Sequence, residues 1–291
     1  MSRPNFFILG APKCGTTSLA AWLSQHPDVF IPPEKELNFF DDDHSYNERM
    51  SLAQYERLFA AADAKAIGEA SVWYLYSRTA VANILKYQPD ARFIVCVRDP
   101  VDMAFSLHQQ QQFSRWEDLA DFREAWEAQE ARKHGAPVAA PERSHLYYGD
   151  VCKLGEQVER LLAQTDKVHF VRLEVLRADP RRVYQGVLEF LEVPPHDADY
   201  GAHNVAKVRR SLFVQKLLQS LFRTKHRLGI RASFGALTKL YQWNTRRSEW
   251  KPDPALAAEL ERYFESDREK LDRLIAGQGA AAQRKWRAIS S

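Results

Sequence analysis

The sequence predicts an α/β fold, a central parallel sheet flanked by helices in three layers, with a helical, basic C-terminal part, all in a single domain over 1–291. Three observations carry this. Phe6-Phe7-Ile8-Leu9 and Arg92-Phe93-Ile94-Val95-Cys96-Val97 are short continuous apolar runs, the pattern of parallel strands covered on both faces. After the first run comes a glycine-bounded loop, Gly10 to Thr17, and then a helical pattern from Ser18 to Leu23. Further on, strand-like runs alternate with helix-period segments, as βαβ units require.

The elements follow in order. LAQYERLF after Ser51 has apolar residues at helical spacing, and Ala66 to Glu69 reads as a short strand. Thr79–Tyr87 is predicted helical, stopped by Gln88-Pro89-Asp90. The Arg92–Val97 strand ends in Arg98-Asp99-Pro100, with Pro100 placed to open a helix. A charged helix is predicted over Asp118–Lys133, ended by His134-Gly135, and an Ala/Pro loop over 135–141. One helix is expected from Tyr147 through Leu162, a strand over Val168–Arg172 and a helix over Arg181–Leu191. The last helix, Ala255–Leu274, has Leu256, Leu260, Phe264 and Leu271 for its core face, and Trp286 is expected to anchor the tail.

Composition narrows the function. Hydrophobic content of 45% and charged content of 27% are those of a soluble globular protein. No apolar run approaches the roughly eighteen residues that span a membrane. Phe6–Leu9 is too short for the apolar region of a leader and is already used as a strand. The net charge of +3 is too mild to point to nucleic acid. Cys14, Cys96 and Cys152 share no metal spacing and make no disulfide framework, so a reducing, cytoplasmic location is expected.

Chemistry concentrates in the first loop. Successive backbone N–H groups and a helix N-terminus make such a turn a phosphate cradle. Gly10, Gly15 and Thr17 fit the spacing G-x-x-x-x-G-K-[ST], but Thr16 stands where the lysine belongs, and the loop's cation is Lys13. A triphosphate-cleaving site needs that lysine against the β- and γ-phosphates. The loop is therefore read as P-loop-like, binding phosphate without cleaving a triphosphate; the bland alternative is a glycine-rich βα turn. At the carboxyl end of the second strand, Arg98 and Ser106, eight positions on, are placed to grip one phosphate from two sides. The alternative for Arg98 is a structural pair with a neighbouring carboxylate.

Pro12-Lys13-x-Gly15-Thr16-Thr17-x-Leu19 resembles the 5′-phosphosulfate loop, P-K-x-G-T-T-x-L, of sulfotransferases that use 3′-phosphoadenosine 5′-phosphosulfate (PAPS). Lys35-Glu36-Leu37-Asn38-Phe39-Phe40 resembles the K-E-x-x-F-F segment of the glycan-type branch, and Arg98-Asp99-Pro100 with Ser106 resembles the R-[DN]-P-x(5)-S signature. The resemblance implies PAPS as cofactor, released as PAP, with no metal required. It implies Glu36 as base and Lys13 at the leaving oxygen. Pro12, Lys13, Cys14, Gly15, Thr16, Thr17 and Ser18 would hold the 5′ end, and Arg98, Ser106 and Arg210 the 3′-phosphate. The segment Glu69 to Tyr74 resembles the acceptor-side E-x-S-P-x-Y, which suggests Trp73 and Tyr74; it departs at Val72, which replaces proline, and at Ala70. Tyr148 and His108 are added on the acceptor side, and His44 or His108 are the substitutes for Glu36 as base.

Between Asp199 and Glu249 there is no acidic residue, while Lys207 to Arg247 includes eleven lysines and arginines. Part of this stretch, 202–248, would cover the cofactor phosphates through Arg210. Alternatively Leu212, Phe213, Leu217, Leu218, Leu221 and Phe222 form one face of a basic helix, lying on an anionic membrane or docked with its basic face solvated. The expected partner is a hydroxyl-bearing acceptor: small molecule, lipid or carbohydrate. The competing functions are a nucleotide kinase and a non-catalytic nucleotide-binding or membrane-surface module.

Overall fold

The computed structural model describes residues 2–45, 49–201, 207–209, 245–247 and 253–289. Strand β1 (Phe6–Leu9) runs parallel between β3 (Ala66–Ser71) and β4 (Arg92–Val97), with Leu9 opposite Ser71 on one side and Val95 on the other. Two more parallel strands, β2 (Val29–Phe30) and β5 (Val168–Arg172), complete a five-stranded sheet of order β2-β3-β1-β4-β5. The chain thus fills one side of β1 first and then crosses to the other. Such a reversal opens a crevice at the carboxyl ends of the strands, here those of β1 and β4.

Both apolar runs are core. Phe6, Phe7, Ile8 and Leu9 and Phe93 to Val97 are all buried, and the Phe7 ring stacks on Phe93 at 6.1 Å and meets Phe40 edge-on at 5.8 Å. Each such side chain contributes about 1.5–3 kcal/mol relative to an exposed one. Helices cover the sheet: α1 (Thr16–Leu23), α2 (Leu52–Arg57), α3 (Ala80–Tyr87), α4 (Pro100–Ser114), α5 (Phe122–Glu127), α6 (Gln129–Lys133), α7 (Tyr148–Cys152), α8 (Leu154–Leu162), α9 (Leu173–Ala178), α10 (Pro180–Phe190) and α11 (Pro254–Ile289). Helix α1 packs on β1, β3 and α10, while α11 packs along α8 and α4.

The helix starts are chemically marked. Ser51 and Gln54 form a capping box on α2, and Asp99 accepts the N–H groups of Val101 and Asp102 ahead of Pro100. Several boundaries differ from the sequence reading. Strand β3 continues through Ala70 and Ser71 because these pair with Ile8 and Leu9. The single helix expected from Tyr147 breaks at Lys153 (ψ 76°). There the carboxylate of Asp267, from α11, accepts the N–H groups of Gly155 and Glu156 at 2.8 and 2.9 Å and caps a new helix. The charged helix likewise divides, at Ala128. Within the basic 202–248 stretch, the described residues form not a helix but two antiparallel three-residue strands, β6 (Lys207–Arg209) and β7 (Thr245–Arg247). Arg210, the apolar face Leu212 to Phe222 and the side chain of Trp286 lie outside the described residues. No helix among the described residues is long and apolar enough to cross a membrane.

Gly68 in β3 lies under the Phe6 ring, and a Cβ there would fall 2.0 Å from Phe6 Cζ. Gly68→Ala is therefore expected to destabilise the fold by about 1–3 kcal/mol. Chemical denaturation should give a lower midpoint with an unchanged slope.

Candidate active site

At the switch point lies a cavity of about 710 Å³, within the range of small-ligand sites. Its floor is the loop after β1. Gly15 is left-handed (φ 90°), and a Cβ on it would come within 2.9 Å of Leu173 and Leu176, so glycine is required on two counts. Hydrogen bonds to β4 hold the loop: Ala11 N–H donates to Cys96 O (2.7 Å) and Cys96 N–H to Gly10 O (2.9 Å). Helix α1 begins directly behind, with no side-chain cap and no acidic residue in its first turn. Its first N–H groups and the positive end of its dipole face the cavity, which suits an anion.

Three cations converge on this floor. Lys13 Nζ donates to Gln110 Oε1 at 3.2 Å, and Lys35 Nζ donates to Thr17 Oγ1 at 3.0 Å. Arg98, at the end of β4 and largely buried, donates to Lys13 O at 3.5 Å and to Asp102 Oδ2 at 3.1 Å. Among the described residues its buried Nε has no hydrogen-bond partner, in a wall already rich in positive charge. Burial, and then the Arg98 charge, push the pKa of Lys13 down. An anion between Lys13 and Arg98 would relieve both effects.

Glu36 also lines the cavity, in a loop held by β3 and the turn after it. Its N–H donates to Ala70 O (3.0 Å), and Val72 N–H donates to its Oε2 (2.9 Å). Glu36 and Asn38 both have positive φ, 58° and 47°, a conformation that costs energy for residues with a side chain. Glu36 is open to the cavity, yet protein surrounds the carboxyl elsewhere. That desolvation raises its pKa above the ordinary carboxylate value, with the Lys35 charge and the Val72 N–H pulling the other way. Beside it Trp73 stacks on His145 at 3.4 Å.

Pro12, Lys13, Gly15, Thr16, Thr17, Ser18, Glu36, Trp73, Arg98 and Ser106 all line this one cavity. Other expected residues do not. The Cys14 side chain is buried beneath the loop, its Sγ near Pro12 O and Met103 Sδ. Tyr74 is fully buried, supporting the Glu36 loop from behind. His108 is turned away: two helical positions beyond Ser106 is a rotation of about 200°, and its Nε2 lies 3.0 Å from Leu119 O. Tyr148 is buried and donates to Glu117 Oε2 at 2.8 Å, and His44 is buried beside Asp41. The acceptor-side roles expected of His108 and Tyr148, and the base role considered for His44, have no geometric support.

The sequence reading missed Gln110, the partner of Lys13, and His145, Arg177 and Tyr200 on the cavity wall. Gln110 had a signal: Ser106, Gln110 and Ser114 are spaced by four along α4, which puts them on one stripe. Gln110 Nε2 donates to Ser114 Oγ at 3.2 Å.

A parallel α/β sheet whose switch-point crevice is floored by an uncapped helix start, lysines and an arginine is suited to an anionic ligand. A sulfotransferase-domain family model matches residues 3–228, and the chain belongs to that family. A crystal structure of a sulfotransferase from Alicyclobacillus acidocaldarius is 28% identical, with a TM-score of 0.71 over 95% of this chain and 97% of that one. The mouse bifunctional heparan sulfate N-deacetylase/N-sulfotransferase 4 is 29% identical over 205 residues, 66% of this chain and 23% of that protein. Human heparan sulfate glucosamine 3-O-sulfotransferase 3B1 is 37% identical over 108 residues, 37% of this chain and 26% of that protein. The chain thus spans about a quarter of the length of these curated relatives.

The Lys35 charge opposes the upward shift of the Glu36 pKa. Lys35→Ala is therefore expected to move the Glu36 titration to still higher pH, followed by carboxyl-carbon NMR across the acid range. A titration at unchanged or lower pH would contradict this electrostatic assignment.

Proposed function

We propose that this domain transfers a sulfuryl group from PAPS to a hydroxyl acceptor, with Glu36 as general base. The observation that carries the reading is the arrangement across one cavity. Lys13, the α1 N-terminus, Arg98 and Glu36 all line it. Membership of the sulfotransferase family supports the reaction class.

The residues fit a nucleotide carrying anions at both ends. In this reading the loop 12–18, with Lys13, holds the 5′ end, and Arg98 with Ser106 holds the 3′-phosphate; Arg210 is a further proposed contact. PAPS supplies the sulfuryl group and departs as PAP. The protein's own contributions are positioning and charge. Lys13 and the α1 N–H groups stabilise negative charge that grows on the leaving oxygen. The Thr17 hydroxyl, with one lone pair engaged by Lys35 Nζ, has its proton free to donate toward that phosphate. Glu36 takes the acceptor proton, and its raised pKa makes it a stronger base than a carboxylate in water. Because it must be ionised, activity should fall as pH drops through that raised pKa.

The same cavity is lined by Trp73, Trp116, His145, Asn38 and Gln110, which suits a ring-bearing or sugar-like hydroxyl compound. The proposed placement is the glycan-type branch, on the Lys35-Glu36-x-x-Phe39-Phe40 segment. The 3-O-sulfotransferase relative names a glucosamine of heparan sulfate as its acceptor. Ala70, where glycan enzymes often carry lysine, tells against a highly anionic polysaccharide here.

The test is ³⁵S-labelled PAPS with a panel of phenols, sterols, long-chain alcohols and neutral and N-acetylated saccharides. Label is expected on at least one hydroxyl compound, and Glu36→Gln should reduce the rate about 100- to 10,000-fold while PAP still binds. PAP binding without transfer to any of them, or phosphorylation from ATP with Mg²⁺ instead, would overturn the proposal.

A further inference from the structure

Glu69 is a fully buried carboxylate at the end of β3, outside the cavity wall, and the mechanism above leaves it without a role. It collects three hydroxyl protons. Ser71 Oγ and Tyr74 Oη both donate to its Oε1, at 2.8 and 2.7 Å, and Tyr55 Oη donates to Oε2. The first two hydroxyls also meet the loop that carries Glu36. Asn38 N–H reaches Ser71 Oγ at 3.3 Å, and Phe39 N–H and Phe40 N–H reach Tyr74 Oη at 2.8 and 3.3 Å.

The direction of these bonds is forced. A backbone N–H can only donate, so each hydroxyl oxygen must accept from the loop, and its single proton must go elsewhere. Glu69 Oε1 is where both protons go. We propose that Glu69, through Ser71 and Tyr74, is a positioning residue that turns two hydroxyl oxygens toward the loop and so holds Glu36 in its working orientation. The inference rests on the reading of Glu36 as base, but its test does not depend on transfer.

The loop needs this support. With positive φ at Glu36 and Asn38, its conformation persists only where the surroundings over-determine it. The anchors of Glu36, Asn38 and Phe39, namely Ala70 O, Val72 N–H, Ser71 Oγ and Tyr74 Oη, come from Ala70 to Tyr74, the segment that starts beside Glu69, while Asn83 Nδ2 donates to Phe40 O at 2.8 Å at the far end of the loop. Burial pushes the Glu69 carboxyl up to about 7 against the pull of the three hydroxyls. The arrangement survives protonation, because the new O–H can face Tyr55 while Oε1 still accepts.

The experiment is site-resolved amide hydrogen exchange on the full chain, with PAP affinity and the NMR titration of Glu36 measured on the same variants. Tyr74→Phe keeps the ring in its aromatic cluster and removes only the oxygen. It should speed exchange at Phe39 and Phe40 at least tenfold, leave Ile8 and Ile94 unchanged, and move the Glu36 pKa down toward its ordinary value as the carboxyl gains water. Glu69→Leu should do the same and extend to Asn38. Glu69→Gln, whose carbonyl can replace Oε1 and whose amide can donate to Tyr55, should retain wild-type exchange within about threefold. PAP affinity should stay within threefold in Tyr74→Phe and Glu69→Gln, because Lys13 and Arg98 are untouched. Unchanged exchange at Phe39 and Phe40 in Tyr74→Phe would overturn the proposal, as would equal acceleration throughout β1 and β4. Absence of PAP binding in the wild type would instead count against the sulfotransferase reading and leave the exchange result standing.

Discussion

Strand β1 pairs in parallel with β3 on one side and β4 on the other, and the three carboxyl ends supply most of the site. From β1 comes the loop with Lys13, from β4 comes Arg98, and the end of β3 holds the loop of Glu36. Parallel pairing makes these ends neighbours because all three strands point the same way. Leu9 sits opposite both Ser71 and Val95, so the three exits lie nearly level. A one-residue slip would turn the buried apolar faces outward. The packing of Phe7 against Phe93 and Phe40 thus stabilises the register that the chemistry needs.

On that frame the site is a contest of charge against burial. Lys13, Lys35 and Arg98 are crowded on the floor, where desolvation penalises the charged form of both lysines. In the same cavity desolvation likewise disfavours the charged form of Glu36. The Arg98–Asp102 pair does not compensate: Asp102 is mostly solvated, and such pairs contribute about 0–1 kcal/mol. An anionic ligand would offset this crowding of positive charge.

Much of this was legible in the sequence because local signals and the tertiary fold agree. Continuous apolar runs marked β1 and β4, glycine marked the loop, and Asp99-Pro100 marked the start of α4. Lys13, Glu36 and Arg98 were found through motif spacing, and the fold brings them to one cavity. What escaped depends on distant partners. The break at Lys153 is made by Asp267, more than a hundred residues away, and β2 is two residues that exist only by pairing with β3. His145 stands on the cavity wall stacked on Trp73, with Gln111 Nε2 donating to its carbonyl, contacts between segments far apart in sequence. For His108 nearness to Ser106 in sequence is not nearness in space, because helical rotation puts it on the other face, with Nε2 3.0 Å from Leu119 O.

In the proposed reading Arg98 and Ser106 recognise a phosphate that the loop after β1 does not, so that the site reads both ends of one nucleotide. Isothermal titration with PAP and with adenosine 5′-phosphate, on the wild type and on Arg98→Ala, tests it most directly. The wild type should bind PAP at least tenfold more tightly than the monophosphate, and Arg98→Ala should remove most of that difference while leaving the weaker affinity in place. Equal affinity for the two nucleotides in the wild type, or a preference that survives Arg98→Ala, would contradict it.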